Sequence, residues 1–147
     1  MAYSDGSFSK AITGYAYIGT VCHTEYKVGL VEDFPGTFDG VHTFAHEVGH
    51  LMGCGHDGQQ PDPSIPNHPG SKNCNASEKL MMAPFLSTSN IHKFSYCCGQ
   101  QVFVVYHLPA SGCLRKVTRE RLSNTTQLPG DILRSADEFC KLEFPEY

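Results

Sequence analysis

Charge is scarce in this chain: Asp, Glu, Lys and Arg make up only 18% of its 147 residues. Acidic residues outnumber basic ones 15 to 11, so the net charge of −4 offers no footprint for DNA or RNA and no basic face for an anionic membrane. Long apolar runs are missing too. The longest, Val102–Tyr106, has five residues, against the ~20 that span a bilayer. Residues 1–20 also lack the charged-then-apolar pattern of a secretory signal. These absences exclude nucleic-acid-binding and membrane-spanning classes, and leave a globular chain of about one domain's length.

What is present in excess is cysteine. Seven in 147 residues is dense for a cytosolic protein, and the odd count leaves one thiol without an internal partner. Two N-x-S/T sequons, at Asn75 and Asn124, point the same way, toward an extracellular glycoprotein. A secretory composition without a secretory start implies a chain whose beginning is missing.

Residues 14–21 (GYAYIGTV) and 27–31 (KVGLV) are short, β-prone and bounded by glycine, and are expected to form strands. Residues 39–52 (DGVHTFAHEVGHLM) are expected to form a helix capped by Asp39, with Val41, Phe44, Ala45, Val48 and Leu51 as its apolar stripe and Gly53 as its stop. Six glycines and prolines between Gly58 and Gly70 make 53–79 a long surface loop, either functional or pinned by a disulfide. Phe94, Cys97, Cys98, Val102, Val105 and Tyr106 fall at helical spacing and predict a second helix over 95–108, against the β-branched run Val102–Val105. Residues 116–127 resemble a linker. Beyond them Ser135-Ala136-Asp137-Glu138 is a capping box that opens a short helix into Phe139 and Leu142.

The chemistry is carried by His46-Glu47-Val48-Gly49-His50-Leu51-Met52-Gly53-Cys54-Gly55-His56. His46 and His50 are four apart, which stacks them on one helix face within reach of a single ion. A break at Gly53 and a turn through Gly55 can bring His56 round as a third ligand, leaving a fourth position for water, the open arrangement of a catalytic zinc site. Glu47 borders that face and can accept the proton of the zinc-bound water. His42, one further turn back, is a competing ligand. A histidine-rich surface helix would explain neither the two glycines nor His56. A purely structural zinc site is disfavoured by the absence of a fourth side-chain ligand.

At these residues the chain resembles the metzincin zinc endopeptidases, which carry a methionine turn beneath the metal. Lys79–Pro84 (KLMMAP) supplies that turn, with Met82 as its methionine, although Met81 and Met82 could also be simple core fillers. Residues 14–22 (GYAYIGTVC), His56-Asp57-Gly58 and Phe94-Ser95-Tyr96-Cys97 narrow the resemblance to the reprolysin (adamalysin, or ADAM-type) branch. Cys54, the His68-Pro69-Gly70 loop and the Cys97-Cys98 pair are most similar to tick salivary metalloproteases.

The resemblance implies an α+β (α/β) catalytic domain, in which a twisted sheet lays its edge strand over an active-site helix and disulfides pin a C-terminal helical subdomain. It implies one zinc ion per chain, ligated by His46, His50 and His56, with Glu47 as base. A peptide or protein substrate would pair with the edge strand at Gly14, Tyr15 and Ala16. Ala83 and Pro84, in a segment running to Leu86, would wall the pocket beyond the cut. By the same likeness Cys22 pairs with Cys113 and Cys74 with Cys97. That leaves Cys54 with Cys98, or Cys54 as a free thiol.

Residues 128–147 resemble the opening of a disintegrin-like, cysteine-rich module, with Cys140 as the odd thiol. The implied division is therefore a partial catalytic domain over 1–115, a linker over 116–127 and a module start over 128–147. Three strands and a long helix of the family fold, and the acidic calcium ligands of some relatives, have no counterpart ahead of Gly14. The expectation is a fragment of a secreted zinc endopeptidase, with calcium unassigned. The alternative is a non-catalytic secreted binding module, which would have no need of Glu47.

Overall fold

The computed structural model describes residues 13–33, 40–85 and 90–117, together with the helical residues Glu138 and Lys141. The Asp39 cap, Leu86, Ser135, Phe139, Leu142, the Asn124 sequon, Cys140 and nearly all of the 116–127 linker lie outside the described residues.

Two three-residue strands, β1 (Gly14–Ala16) and β2 (Gly29–Val31), pair antiparallel with Tyr15 opposite Leu30. Both are shorter than the sequence predicts. After Ala16 the chain turns to serve a helix instead: Gly19 N–H donates to His50 O at 2.8 Å and Val21 N–H to Leu51 O at 3.1 Å. Gly19 allows this turn with φ of +72°. Those two bonds satisfy carbonyls that the helix end leaves without intrahelical donors.

That helix, α1 (Gly40–Leu51), packs on the two strands. Its first N–H is held by the Asp33 carboxylate, Gly40 N to Oδ1 at 2.8 Å. It ends in a Schellman turn: Cys54 N–H donates to Gly49 O at 2.9 Å and Gly53 N–H to His50 O at 2.8 Å. Gly53 takes φ of +110° there.

The buried face of α1 is not the expected apolar stripe. Val41 and Phe44 are each 62% exposed and Val48 is 39% exposed, while Thr43, Glu47 and His50 are buried. Periodicity tells which side chains share a face, and small residues in the strands decide which face packs. A Cβ on Gly29 would lie 3.7 Å from the Glu47 Cβ, and one on Gly14 would lie 2.7 Å from Thr43 Cγ2. The glycines therefore admit the functional face of the helix.

The second helix, α2 (Tyr96–His107), forms despite its valines. Ser95 caps it, its Oγ accepting from Cys98 N at 3.1 Å, and Pro109 follows its end. Cys97, Cys98 and Val105 are buried as the spacing implies, and so is Gln101, whereas Phe94 and Tyr106 are exposed.

Between the helices, residues 53–79 are more than a surface loop. Ile65, His68 and Ser71 are buried within it. His68 bridges Asp62 N at 2.9 Å to Gly53 O at 2.8 Å. A 3₁₀ turn, Ala76–Glu78, is capped by Asn75.

The buried apolar cluster is small, formed of Cys54, Met81, Met82 and Cys98 with Ala45 and Val102 against it. Three disulfides compensate: Cys22–Cys113, Cys54–Cys98 and Cys74–Cys97, closing loops of 91, 44 and 23 residues. Loops of these lengths give roughly 3–5 kcal/mol each by restricting the unfolded chain.

Gly53 combines a positive φ with close contact, since a Cβ there would lie 3.2 Å from Val105 Cβ. Gly53→Ala is therefore expected to lower the unfolding free energy by about 2 kcal/mol, read from denaturant midpoints at unchanged m-value.

Candidate metal centre

The Schellman turn does more than end α1. It swings the Cys54 carbonyl back over the helix, where it accepts from His50 Nδ1 at 2.6 Å. His46 Nδ1 donates in the same way to Met81 O, also at 2.6 Å, from the methionine-containing turn. A carbonyl only accepts, so both Nδ1 atoms carry the ring proton and both Nε2 atoms present lone pairs. His56 arrives from beyond Gly55, with its Nε2 3.1 Å from that of His46.

Ligand atoms of His46, His50 and His56 lie within 4.8 Å of one another, the one such convergence of His, Cys, Asp or Glu found among the described residues. His42 does not join it. Its Nδ1 donates to Ile91 O at 3.2 Å, and its ring centroid is 6.3 Å from that of His46, against 4.7 Å between His46 and His50.

Burial shapes the electrostatics. Desolvation lowers the pKa of all three imidazoles, and that of His50 falls to about 4, only partly opposed by its bond to Cys54 O. The rings are thus proton-poor at neutral pH, the state in which imidazole binds metals. Desolvation also raises the Glu47 carboxyl above the usual carboxylate range. Glu47 Oε2 is buried with no hydrogen-bond partner.

A cleft of 620 Å³ opens over these groups. Gly14, Tyr15 and Ala16 of β1 line it, as do His46, Glu47, His50 and His56, with Ala83 and Pro84 also in its lining. Met82 is fully buried, and a Cβ on Gly49 would lie 2.7 Å from its Sδ, so the thioether packs against the helix that carries the histidines.

The donor set fits a zinc ion: three neutral imidazoles, two of them with tautomers fixed by carbonyls, and no fourth side chain among the described residues closing the group.

Several supporting groups are missed by spacing alone. Asp57 is buried, accepts from Ser95 Oγ at 2.6 Å, and donates its own N–H to Met82 O at 2.9 Å. Ser95 thus caps α2 and ties it to the residue after His56. Gln101, fully buried on α2, accepts from Gly55 N at 2.7 Å. Ser71 Oγ donates to His56 O at 2.5 Å. Gln59 accepts from His56 N at 2.9 Å through Oε1, and its Nε2 lies 3.3 Å from His56 Nδ1. Polar residues 15 to 46 positions apart leave no local pattern, although the His56-Asp57-Gly58 and Phe94–Cys97 segments were already in the family likeness.

Known proteins agree with this geometry. Residues 1–95 match the Reprolysin_5 model of metallo-peptidase family M12. An "A disintegrin and metalloproteinase with thrombospondin motifs like" protein of Bombyx mori is 30% identical over 145 residues, covering 95% of this chain and 20% of the relative. An antarease-like venom metalloproteinase of Tityus serrulatus is 32% identical over 117 residues, covering 79% of this chain and 49% of that protein. Another from Tityus trivittatus is 33% identical over 111 residues, covering 75% of this chain and 28% of its own length. The chain spans less than half of each of these relatives. With three converging imidazoles behind Glu47 and a family match over residues 1–95, the chain belongs to metallo-peptidase family M12, in its reprolysin group.

Proposed function

We propose that this chain carries the catalytic centre of a secreted zinc metalloendopeptidase that cuts extracellular proteins. The observation behind this reading is the meeting, in one cleft, of three proton-poor imidazoles and a buried carboxylate whose Oε2 has no hydrogen-bond partner. His46, His50 and His56 would hold the ion through Nε2. Bound there, zinc would supply a Lewis acid that acidifies water and polarises the scissile carbonyl. Glu47 takes the proton of the attacking water and passes it to the leaving amine. Its raised proton affinity, caused by burial, suits a base that must hold a proton and then give it up.

An extended peptide would pair with β1 at Gly14, Tyr15 and Ala16, with Ala83 and Pro84 flanking the residue beyond the cut. Secretion is supported by the three disulfides and by the venom relatives. Asn75 is exposed, as an acceptor for an N-linked glycan must be. The proposed division keeps the catalytic segment at 1–115, the linker at 116–127 and a disintegrin-like start at 128–147. In its support, 145 residues align with the Bombyx mori relative but only 117 and 111 with the two venom enzymes.

Two substitutions test the reading on quenched peptides, with zinc content measured alongside. Glu47→Gln keeps the shape and removes the base, so kcat/KM is expected to fall about 10³-fold while bound zinc is unchanged. Retained cleavage in that variant rules out Glu47 as the base. Gly14→Ala places a methyl against Glu47 Oε1 and Thr43. The displaced carboxylate is expected to cost about 100-fold in kcat, again with zinc retained.

A further inference from the structure

Where β1 ends, a row of aromatic rings begins outside the buried cluster. Tyr15 and Tyr17 are two apart along extended chain, so their side chains leave the same face. Their rings meet edge to face, with centroids 5.4 Å apart and planes at 80°. Tyr17 in turn meets Tyr26 at 5.1 Å and 59°, and Tyr26 meets His23 at 4.7 Å and 40°. All four side chains are exposed, and none of the three tyrosines is less than 41% exposed.

Exposed aromatic side chains are ordinarily free to turn, but these are held from beneath. Thr20 Oγ1 donates to Tyr26 O at 2.7 Å and shares its proton with Tyr17 O at 3.2 Å, which ties the two ring-bearing stretches together. His23 Nδ1 accepts from Glu25 N at 3.1 Å and from Tyr26 N at 3.2 Å. The base of the loop is fixed to α1 through Gly19 and Val21, and to the 3₁₀ segment Pro109–Arg115 through the Cys22–Cys113 disulfide. The backbone under the rings is thus set before any ligand arrives.

The angles between the rings say what they can accept. Planes at 80° and 59° leave V-shaped grooves between neighbouring tyrosines, in place of the flat face on which a sugar ring stacks. Aromatic-lined grooves of this kind take proline-rich peptides in the extended left-handed helix, which is ordered before docking and loses little entropy on it. With centroids about 5 Å apart, the row spans about five residues of such a peptide at ~3.1 Å each. The row also continues the cleft. Tyr15 is at once its first ring and part of the cleft lining, so a polypeptide paired with β1 passes onto the rings as it leaves. A free polysaccharide has no such lead.

We infer that Tyr15, Tyr17, Tyr26 and His23 form a docking track for a proline-rich stretch of the protein substrate, outside the bond that is cut. The inference rests on the proposed pairing of substrate with β1. It adds a sequence preference set away from the metal centre.

The test first measures binding of a proline-rich peptide of about ten residues to the metal-free 147-residue chain, where nothing is cut. Ring NMR signals of Tyr15, Tyr17 and Tyr26 are expected to shift and saturate, with affinity about tenfold above that of a glycine–serine peptide of equal length. Tyr26→Ser is expected to weaken binding about tenfold, whereas Tyr26→Phe keeps the ring and stays within about twofold. Phe103→Ser removes an exposed ring of α2 and is expected to change binding by less than about twofold. In the zinc-loaded chain, the same stretch joined to a quenched peptide at one of its two ends is expected to lower KM about tenfold at unchanged kcat. Tyr26→Ser should erase that gain. Equal binding of the glycine–serine peptide, tighter binding of a neutral oligosaccharide, equal losses in Tyr26→Ser and Phe103→Ser, or a KM indifferent to the stretch at both ends overturns the inference alone. A chain that binds the peptide through these rings yet cuts nothing overturns the proposed function and leaves the track as a peptide site.

Discussion

Everything in the site depends on holding imidazole Nδ1. A histidine can present Nε2 in a fixed direction only when its other nitrogen is held, and here two of the three holds come from backbone carbonyls. The Cys54 carbonyl exists in its position because α1 ends in a Schellman turn, and that turn requires the positive φ of Gly53. The Met81 carbonyl is placed by a turn whose own N–H donates to Lys93 O at 2.7 Å. The helix stop and the methionine turn are thus parts of the site, although neither offers a ligand.

The third imidazole needs a different scaffold, because His56 lies beyond the helix. The segment 53–79 provides it. His68 ties that segment to Gly53, Ser71 ties it to His56 and Gln59, and Cys74–Cys97 ties it to α2. From the α2 side, Ser95 holds Asp57 and Gln101 holds Gly55, so the residues on both sides of His56 are anchored to one helix. With so few buried apolar side chains among the described residues, packing alone would fix these positions poorly. Cross-links and buried hydrogen bonds, each costly to break in a desolvated setting, do so instead.

This division explains what could be read in advance. The ligand string was legible because helical spacing converts directly into a shared face, and because glycines have few uses that a side chain would not serve better. The helix bounds followed from the same signals, as did α2, where the helical spacing of Cys97, Cys98, Val102 and Val105 outweighed a valine run. The first strand is shorter than its β-prone run, since Gly19 and Val21 give their N–H groups to the end of α1 instead of a neighbouring strand. The apolar stripe on α1 is not the face that packs on the strands. Val41, Phe44 and Val48 do share a face, but Gly14 and Gly29 make room for Thr43 and Glu47 on another. Gln59, Ser71 and Gln101 left no trace in periodicity, because their bonds close over turns and long separations.

Desolvation finally links the acid and the bases of the cluster. It pushes the Glu47 carboxyl up and the three imidazoles down, so one physical cause moves both kinds of group toward neutrality. For the imidazoles the sign matters. His50 takes a proton in the unfolded chain near its ordinary value but in the folded chain only near pH 4, so acidification across that interval favours unfolding. For Glu47 the sign is opposite, since the folded chain binds its proton more readily. The histidines outnumber the carboxylate, and the lowest-lying of them carries the bond to Cys54 that the Schellman turn builds. Burial therefore leaves three neutral, lone-pair-bearing imidazoles at physiological pH, and the folded backbone bears the cost of keeping them so.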